Sequence, residues 1–422
     1  MRLGIIMLIV ITIFLVVSCN QSTEPSGSDI SPSTLSALIS SDTSAILAWT
    51  ICVEASFENY TLYRSVTSDI SSDPSSADIL GVFTSANTNE YIDPEIDWIS
   101  DYYYVLRTYD TSDYSVWSNE VLVNIQSSIP DSVVATVSVG QTPRGICSLL
   151  SGEYVYVTCS YDQTVSVIRT SDHSVIKSIY CGGYPQGICA LPSNDFVYVA
   201  DLSSSGYVNV IRTSDNIIID SISVGDSPID LCSLPNGDYV YVTNTNSDDI
   251  SVIRTFDNSV VDTISVGDYP RSICSLPSGE YVYVTNADEN TISVIRTSDN
   301  TVVETIDVDL WHYSGICTLP SGEYVYVIGN NDSVSVIRTS DNDVIASIDV
   351  GNGMIDICAH TSGNYLYATS SNDNNVSLIR TSDNTVVMTI AVGAGPWNIC
   401  SNSEGTSIYT VNAYNNTISV IQ

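Results

Sequence analysis

Short segments in which apolar and polar residues alternate fill the chain from residue 131 onward, and they recur at a regular interval. The phrase Ile-Cys-Ser-Leu-Pro-Ser-Gly-Glu-Tyr-Val-Tyr-Val-Thr-Asn returns in variants. Its cysteine marks seven positions that are 41 to 43 residues apart, namely Cys147, Cys189, Cys232, Cys274, Cys317, Cys358 and Cys400. A repeat of this length is typical of one blade of a β-propeller.

Each repeat contains four strand-like pieces. In the fourth repeat turn-forming residues such as Pro-Ser-Gly and Ser-Asp-Asn separate them, and the predicted strands are Arg271–Leu276, Tyr281–Asn286, Thr291–Arg296 and Thr301–Val308. Four short antiparallel strands per repeat predict an all-β fold, a seven-bladed β-propeller over residues 131–422.

The two ends of the repeat array predict how the ring closes. The seventh repeat stops after its third strand, at residues 418–422. Val133–Val139 matches Val302–Val308 of the fourth repeat and precedes the first one. We therefore predict that this N-terminal strand completes the last blade, which removes an open sheet edge.

The motif Tyr-Val-Tyr-Val-Thr-Asn at 239–244 and 281–286, followed by Ile-Ser-Val-Ile-Arg-Thr, resembles the YVTN-repeat propellers of bacterial and archaeal surface proteins. The resemblance to these surface-layer-protein-like repeats covers residues 131–422. Cysteine stands where many members have a small apolar residue. Related propellers include lactonases and hydrolases, but no residue of this chain matches their sites.

Residues 34–126 have the short alternating segments of a small β-sandwich, among them Ala45–Trp49 and Tyr102–Tyr109. They resemble a fibronectin type III domain, with Trp49 as its core tryptophan, Tyr102 as its tyrosine corner and residues 118–121 as its last strand. The chain has no Arg-Gly-Asp tripeptide, and we interpret this domain as a spacer.

The N-terminus carries an export signal. Arg2 precedes an apolar run from Leu3 to Val17, which is short for a membrane span and typical of a secretory signal peptide. Residues 15–19 resemble the bacterial lipoprotein box, which implies a signal over residues 1–19 and lipidation of Cys19. An uncleaved signal anchor is the alternative.

Residues 20–33 are rich in Ser, Pro and Gly and predict a flexible tether. Asn20 after the cysteine favours the outer membrane, by resemblance to proteobacterial sorting. We expect a protein of the bacterial cell envelope, at the outer membrane or cell surface, on its periplasmic or extracellular face. It would contact the membrane through the lipid alone.

The charge balance excludes one class of partner. Forty-eight acidic residues against twelve basic ones give a formal net charge of −36, and Lys177 is the single lysine. Nucleic-acid binding requires a basic surface, so we expect no nucleic-acid partner. The acidity favours solubility in a salty or extracellular setting. Asp-rich loops such as 244–249 lack the residue spacing of a calcium-binding loop, which argues against a calcium site. A structural Ca²⁺ ion bound by these loops stays an alternative.

Two rings of repeated residues receive structural interpretations. The seven cysteines stand alone rather than in metal-binding pairs, and we predict that they pack in the core. A bridge between Cys159 and Cys181 is possible but not favoured. Six arginines, each three residues before an aspartate, are expected to stabilise strand ends, although an anion-binding ring is the alternative: Arg169, Arg212, Arg254, Arg296, Arg338 and Arg380.

The sequence has no catalytic motif, and its three histidines lie in different repeats, so we predict no enzymatic activity, no cofactor and no metal. The loops between successive repeats differ more than the strands do, which favours a binding rim there. The candidate ligand-binding residues are Arg144, Tyr184, Asp226, Asp230, Asp268, Arg271, Trp311, His312, Tyr313, Asp356 and Trp397.

Aromatic rings with polar neighbours suit an envelope or extracellular protein, a peptide or a glycan. The sequence thus predicts a non-catalytic binding or scaffold protein. Two alternatives stay open: a propeller-type hydrolase or lactonase that depends on His312, and a surface-coat component without a discrete ligand.

Overall fold

The structure is a computed structural model that describes residues 33–41, 44–52, 57–66, 68, 70–72, 74–94, 102–112, 114–123, 129–203, 206–310, 313–330 and 332–422. The chain divides into two compact units, Met1–Ser128 and Ile129–Gln422. Within the described ranges no helix has the length and apolar character needed to cross a membrane. The predicted signal, Cys19 and the tether lie outside them.

The first unit consists of two antiparallel sheets. One has the order β1-β2-β5, and the other has the order β4-β3-β6-β7 with β8 also paired to β6. The strands are β1 (Leu35–Ser41), β2 (Ser44–Trp49), β3 (Phe57–Ser65), β4 (Asp78–Phe83), β5 (Glu90–Asp93), β6 (Tyr102–Asp110), β7 (Ser115–Trp117) and β8 (Val121–Val123).

Alternation of apolar residues explains the core of this unit. Trp49 is buried, with its ring centroid 5.8 Å from that of Tyr60 and 5.5 Å from that of Phe83. In β6 every second side chain from Tyr102 to Thr108 is buried. The predicted strand at 118–121 differs from the structure, because residues 118–120 lie between β7 and β8, where the Ser118 hydroxyl bonds to the backbone of Asn119.

The second unit is a β-propeller of seven four-stranded antiparallel sheets. One strand, β9 (Val133–Ser138), precedes the first repeat in the chain. The strands of blades one to three are β10 (Pro143–Ser148), β11 (Tyr154–Cys159), β12 (Thr164–Arg169), β13 (Ser174–Tyr180), β14 (Pro185–Ala190), β15 (Phe196–Asp201), β16 (Tyr207–Arg212), β17 (Ile217–Ser223), β18 (Pro228–Ser233), β19 (Tyr239–Asn244), β20 (Asp249–Arg254) and β21 (Ser259–Ser265).

Blades four to seven repeat this arrangement. Their strands are β22 (Pro270–Ser275), β23 (Tyr281–Asn286), β24 (Thr291–Arg296), β25 (Thr301–Asp307), β26 (Ile316–Thr318), β27 (Tyr324–Ile328), β28 (Ser333–Arg338), β29 (Asp343–Asp349), β30 (Met354–Ala359), β31 (Tyr365–Ser370), β32 (Asn375–Arg380), β33 (Thr385–Ala391), β34 (Pro396–Ser401), β35 (Ile408–Asn412) and β36 (Thr417–Ile421).

The innermost strand of each blade contacts that of the next, and β34 contacts β10. The sheet of the last blade has the order β34-β35-β36-β9, with Val420 opposite Ala135. Apolar side chains fill the space between neighbouring sheets. At the seam Ile146 of the first blade belongs to one buried cluster with Val411 and Ile418 of the seventh.

Hydrogen bonds between blades explain much of the repeated sequence. The last tyrosine of the Tyr-Val-Tyr segment (Phe-Val-Tyr in the second blade) is buried and donates its hydroxyl to the asparagine of the Ser-Asp-Asn turn (Phe-Asp-Asn in the third blade) of the next blade. That asparagine has a left-handed φ, as in Asn300 (54°). The pairs are Tyr156–Asn216, Tyr198–Asn258, Tyr241–Asn300, Tyr283–Asn342 and Tyr326–Asn384, at 2.6–3.2 Å.

Two other repeated residues connect the strands. Asn286 at the end of β23 donates to Ser293 on β24 at 2.9 Å. Its side chain needs glycine in the loop beside it, because a Cβ at Gly267 would lie 2.8 Å from the Asn286 amide nitrogen. The asparagine at the end of β23 therefore favours glycine nineteen residues earlier in the chain, at the start of the loop that enters the same blade.

Candidate functional site at the channel mouth

The meander within each blade places its loops on two opposite faces. Because the strands are antiparallel, the loops that enter each innermost strand lie on the same face as the hairpin between the second and third strands. We call this face the channel mouth. The turns after the first and third strands lie on the other face, which we call the far face.

A repeated threonine holds the backbone at the channel mouth. Thr243 Oγ1 in β19 donates to the carbonyl oxygen of Arg271 in the next blade at 3.0 Å, and Thr369 Oγ1 donates to that of Trp397 at 2.7 Å. Thr158 bonds to Gln186 in the same way at 2.6 Å. The scaffold thus fixes the backbone of one rim residue in the second, fourth and seventh blades, while the side chains at these positions differ.

Four rim side chains from four blades form a continuous stack, which we call the axial stack. The Arg144 guanidinium carbon lies 3.9 Å from the ring centroid of Trp397. Trp397 meets the Tyr313 ring edge-on, with centroids 5.0 Å apart. The Arg271 guanidinium lies 4.4 Å from the Tyr313 centroid. Such contacts each contribute about 0.5–2 kcal/mol.

The two arginines of the axial stack have no carboxylate within ion-pair distance among the described residues. The Nη1 atom of Arg144 is buried and has no hydrogen-bond partner in the described part of the chain. Burial lowers the pKa of both guanidinium groups from their ordinary value, yet arginine keeps its charge in proteins. The mouth therefore holds two positive charges in an acidic protein.

Two carboxyl groups lie one position deeper along the innermost strands. Asp230 accepts hydrogen bonds from the backbone N–H groups of Leu231 at 2.9 Å and Ile273 at 3.2 Å. Asp356 accepts one from Ile399 at 3.1 Å. Ile273 and Ile399 belong to the next blade in each case, so both aspartates connect neighbouring blades, as Asn398 does by accepting from Ile146 at 3.2 Å.

Burial raises the pKa of Asp230 and that of Asp356 to about 7, and the backbone donors oppose this shift. Each carboxyl group is therefore protonated in a large fraction of molecules near neutral pH. A protonated carboxyl group can donate a hydrogen bond or a proton, which makes this pair the main acid–base feature of the mouth.

A cavity of about 70 Å³ lies beside Asp230. Residues of the first, second, third, fourth and seventh blades line it, including Arg144, Gln186, Asp230, Arg271 and Trp397. A larger cavity of about 400 Å³ lies at the far face, between the first and seventh blades. Its single arginine, Arg169, already pairs with Asp172 at 2.9 Å, so the far-face cavity does not offer the unpaired charge of the mouth.

The structure brings together six of the eleven candidate ligand-binding residues. Arg144, Asp230, Arg271, Tyr313, Asp356 and Trp397 lie at the axial end of the rim. Tyr184 is 55% exposed, and Asp226 and Asp268 are exposed as well, on the outer part of their loops. Trp311 and His312 lie outside the described residues.

Sequence reasoning missed six residues that line the mouth. Two of them, Gly145 and Gly187, are glycines, and four carry side chains. All follow the same register as the predicted residues, two or three positions before a repeated cysteine, and this register was the signal that could have found them. The four with side chains are Gln186, Ile229, Ser272 and Asn398.

The seven repeated cysteines pack between blades, and burial raises the pKa of each thiol, as for Cys147 and Cys274. The described cysteines, including Cys159 and Cys181, are free. Among the described residues no group of three or more His, Cys, Asp or Glu side chains is placed to hold a metal ion.

The six repeated arginines lie at the far face. Each bonds to the aspartate three residues later, with nitrogen–oxygen distances of 2.5–2.9 Å. Their charges are therefore already compensated within one turn, which favours the structural interpretation over an anion-binding ring.

Comparison with known proteins supports the fold. The family model described as Lactonase, 7-bladed beta-propeller matches residues 224–307. A solved structure of Kuenenia stuttgartiensis hydrazine synthase is 19% identical, with a TM-score of 0.61, and the match covers 67% of this chain and 95% of that one. This likeness concerns the fold alone. The search of curated proteins returned no match.

Proposed function

We propose that this protein is an exported, lipid-anchored and non-catalytic binding or scaffold protein. It uses the channel mouth of its propeller to bind a protein, a peptide or a glycan of the envelope or of the extracellular space. The observation that carries this proposal is the axial stack, which joins two arginines without an ion pair among the described residues to two aromatic rings, beside a cavity that Arg144, Arg271 and Trp397 line.

The contrast between frame and rim supports a binding role. Repeated threonines fix the rim backbone in successive blades, while the side chains that they position are arginine, tryptophan, glutamine and serine. Side chains that differ on a repeated frame are the usual way in which a solenoid or propeller acquires specificity.

The remaining parts of the chain complete the proposal. We interpret the propeller as a YVTN-repeat propeller closed by β9, and the pairing of β9 with β36 supports this closure. The first unit would be a fibronectin type III-like spacer, which the buried Trp49 between aromatic neighbours supports. The lipid anchor at Cys19 rests on the sequence of residues 15–19.

A pull-down from envelope extract tests the binding role. Trp397→Ala should lose the captured ligand, because it removes the ring that supports Arg144. Phe256→Ala is the matched control, since Phe256 is 93% exposed in a far-face turn. Equal capture by both variants would refute binding at the mouth, and self-assembly without a captured ligand would favour a surface-coat component.

The second candidate function is lactone hydrolysis. The match to the lactonase family over residues 224–307 favours it, and this segment contains Asp230 and Arg271. A carboxyl group with a pKa of about 7 suits general acid–base catalysis. Turnover in a lactonase and esterase screen that disappears in Asp230→Asn would establish this candidate. Asn should keep the contact between blades, as Asn398 does.

A further inference from the structure

The chemistry of the axial stack narrows the ligand of the proposed binding site to one functional group. We propose that the channel mouth recognises a carboxylate group, held between the guanidinium groups of Arg144 and Arg271 and beside the carboxyl group of Asp230. This inference rests on the proposed binding function and names the part of the ligand that enters the cavity.

The first argument is charge. Six arginines of the same propeller bond to an aspartate three residues away, whereas Arg144 and Arg271 have no such partner among the described residues. Arg144 also keeps a buried Nη1 donor without an acceptor in the described part of the chain. An unsatisfied buried donor destabilises the protein, and a ligand carboxylate would supply the missing acceptor.

The second argument is the use of the aromatic rings. Arg144 lies over the Trp397 ring at 3.9 Å, and Arg271 lies over the Tyr313 ring at 4.4 Å. These faces are therefore occupied by the protein's own cations, which disfavours stacking of a sugar on them. A stacked guanidinium keeps the N–H donors in its plane, and these match a carboxylate.

The third argument is the carboxyl group that lines the cavity. Asp230 lines it together with the two arginines and is protonated in a large fraction of molecules near neutral pH, and a protonated carboxyl group donates a hydrogen bond to a carboxylate. When ionised, Asp230 would repel a phosphate dianion more strongly than a single negative charge. A cavity of about 70 Å³ has room for a carboxylate group.

Calorimetric titration of the full chain tests the proposal with paired probes. An N-acetylated tripeptide with a free C-terminal acid is compared with its amide, and D-glucuronate is compared with D-glucose. Inorganic phosphate is the third probe. We expect one acid to bind at least about tenfold more tightly than its neutral counterpart, and the better acid identifies a peptide or a sugar as its source.

Substitutions of the two mouth arginines test whether the acid binds at the channel mouth. Arg144→Gln and Arg271→Gln should each weaken acid binding by about 10- to 100-fold, since each removes a charged hydrogen bond. Arg271→Lys, which keeps the charge, should weaken it less. Arg254→Gln at the far face is the matched control and should bind like the native protein. Thermal melting confirms that each variant is folded.

Three results would overturn the carboxylate assignment: equal affinity for acid and neutral probes, tighter binding of phosphate, or absence of acid binding at millimolar concentration. If the envelope pull-down still depends on Trp397 in that case, the proposed function stands and only this inference fails. If capture does not depend on Trp397, the proposed function itself fails.

Discussion

The propeller carries arginine on both of its faces, and the two sets are partnered differently. At the far face each repeated arginine bonds to a nearby aspartate, and its side chain is 23–44% exposed. At the channel mouth Arg144 and Arg271 stack on aromatic rings instead. The far face pairs its arginines within a repeat, whereas at the mouth the arginines contact aromatic residues of other blades and form no ion pair among the described residues.

This difference separates the parts of the repeat that build the ring from the parts that give the protein a site. Tyrosine hydroxyls attach the far-face turns to neighbouring blades, for example Tyr241 to Asn300 at 2.7 Å. At the mouth the aspartates that connect blades occur in only two repeats, at Asp230 and Asp356. Four kinds of experiment test this difference between the two faces.

The largest effect is expected from loss of the strand that pairs with β9. Deletion of residues 415–422 removes β36, with the fully buried Ile418, Val420 and Ile421. The unfolding free energy should fall by roughly 5 kcal/mol or more, because several large apolar side chains leave the core. Urea unfolding measures it. A truncated protein as stable as the full chain would contradict ring closure by β9.

The second effect is a pH dependence with opposite signs at the two faces. Asp230 and Asp356 have a raised pKa of about 7, so the folded state binds more protons than the unfolded state between about pH 4 and 7. The unfolding free energy should therefore fall as pH rises through this window, by at most about 1.4 kcal/mol per pH unit for each carboxyl group.

The far-face aspartates behave in the opposite way. Hydrogen bonds from Arg296 lower the pKa of Asp299 to about 2, so its stabilising effect is present above about pH 4 and is lost as pH falls toward 2. Denaturant unfolding across this pH range measures both trends. The Asp230→Asn/Asp356→Asn double variant should flatten the profile between about pH 4 and 7. If the unfolding free energy of that variant falls with pH as steeply as that of the native protein, Asp230 and Asp356 do not cause the pH dependence.

The third effect concerns the contacts that hold the far-face turns. Tyr241→Phe removes the hydroxyl that donates to Asn300 and should lower the unfolding free energy by about 1 kcal/mol. Tyr239→Phe is the matched control, because Tyr239 is the partly buried first tyrosine of the same strand. Equal loss in the two variants would indicate that the hydroxyl bond between blades contributes nothing specific.

The smallest effect comes from the arginines themselves, and its sign distinguishes the faces. Arg144→Met keeps contact with Trp397 and removes an unpaired buried charge, so we expect a gain of about 1 kcal/mol in stability. Arg254→Met removes an exposed ion pair and should cause a small loss. Thermal melting measures both changes. Destabilisation by Arg144→Met of more than that by Arg254→Met would show that Arg144 is compensated within the protein.

Much of the fold was predictable, because the residues that specify each strand lie within or next to that strand. The predicted strands Tyr281–Asn286 and Thr291–Arg296 coincide with β23 and β24, and the two others differ by one residue at their ends. Alternation and turn residues act over a few positions, so a single repeat contains them. Residues 118–120 of the first unit were misassigned, since an alternating segment does not reveal where a short strand begins.

The candidate site was predictable only as a region. Loop variation marked the rim correctly as the place where residues differ, yet it gave Tyr184, Asp226 and Asp268 the same weight as Asp230. Depth along the innermost strand decides which side chains approach the axis. That depth depends on the threonine contacts between blades, such as Thr243 to Arg271.

The sequence alone specifies the β-propeller, because six repeats each encode four strands with their turns, and the seventh encodes three that β9 completes. It also determined the acidic charge and the register of the repeated tyrosine, threonine and asparagine. Only the tertiary structure decided that Arg144, Trp397, Tyr313 and Arg271 form one stack, because they come from four blades and up to about 250 residues apart. Closing the ring brings them together, and no local pattern records that proximity.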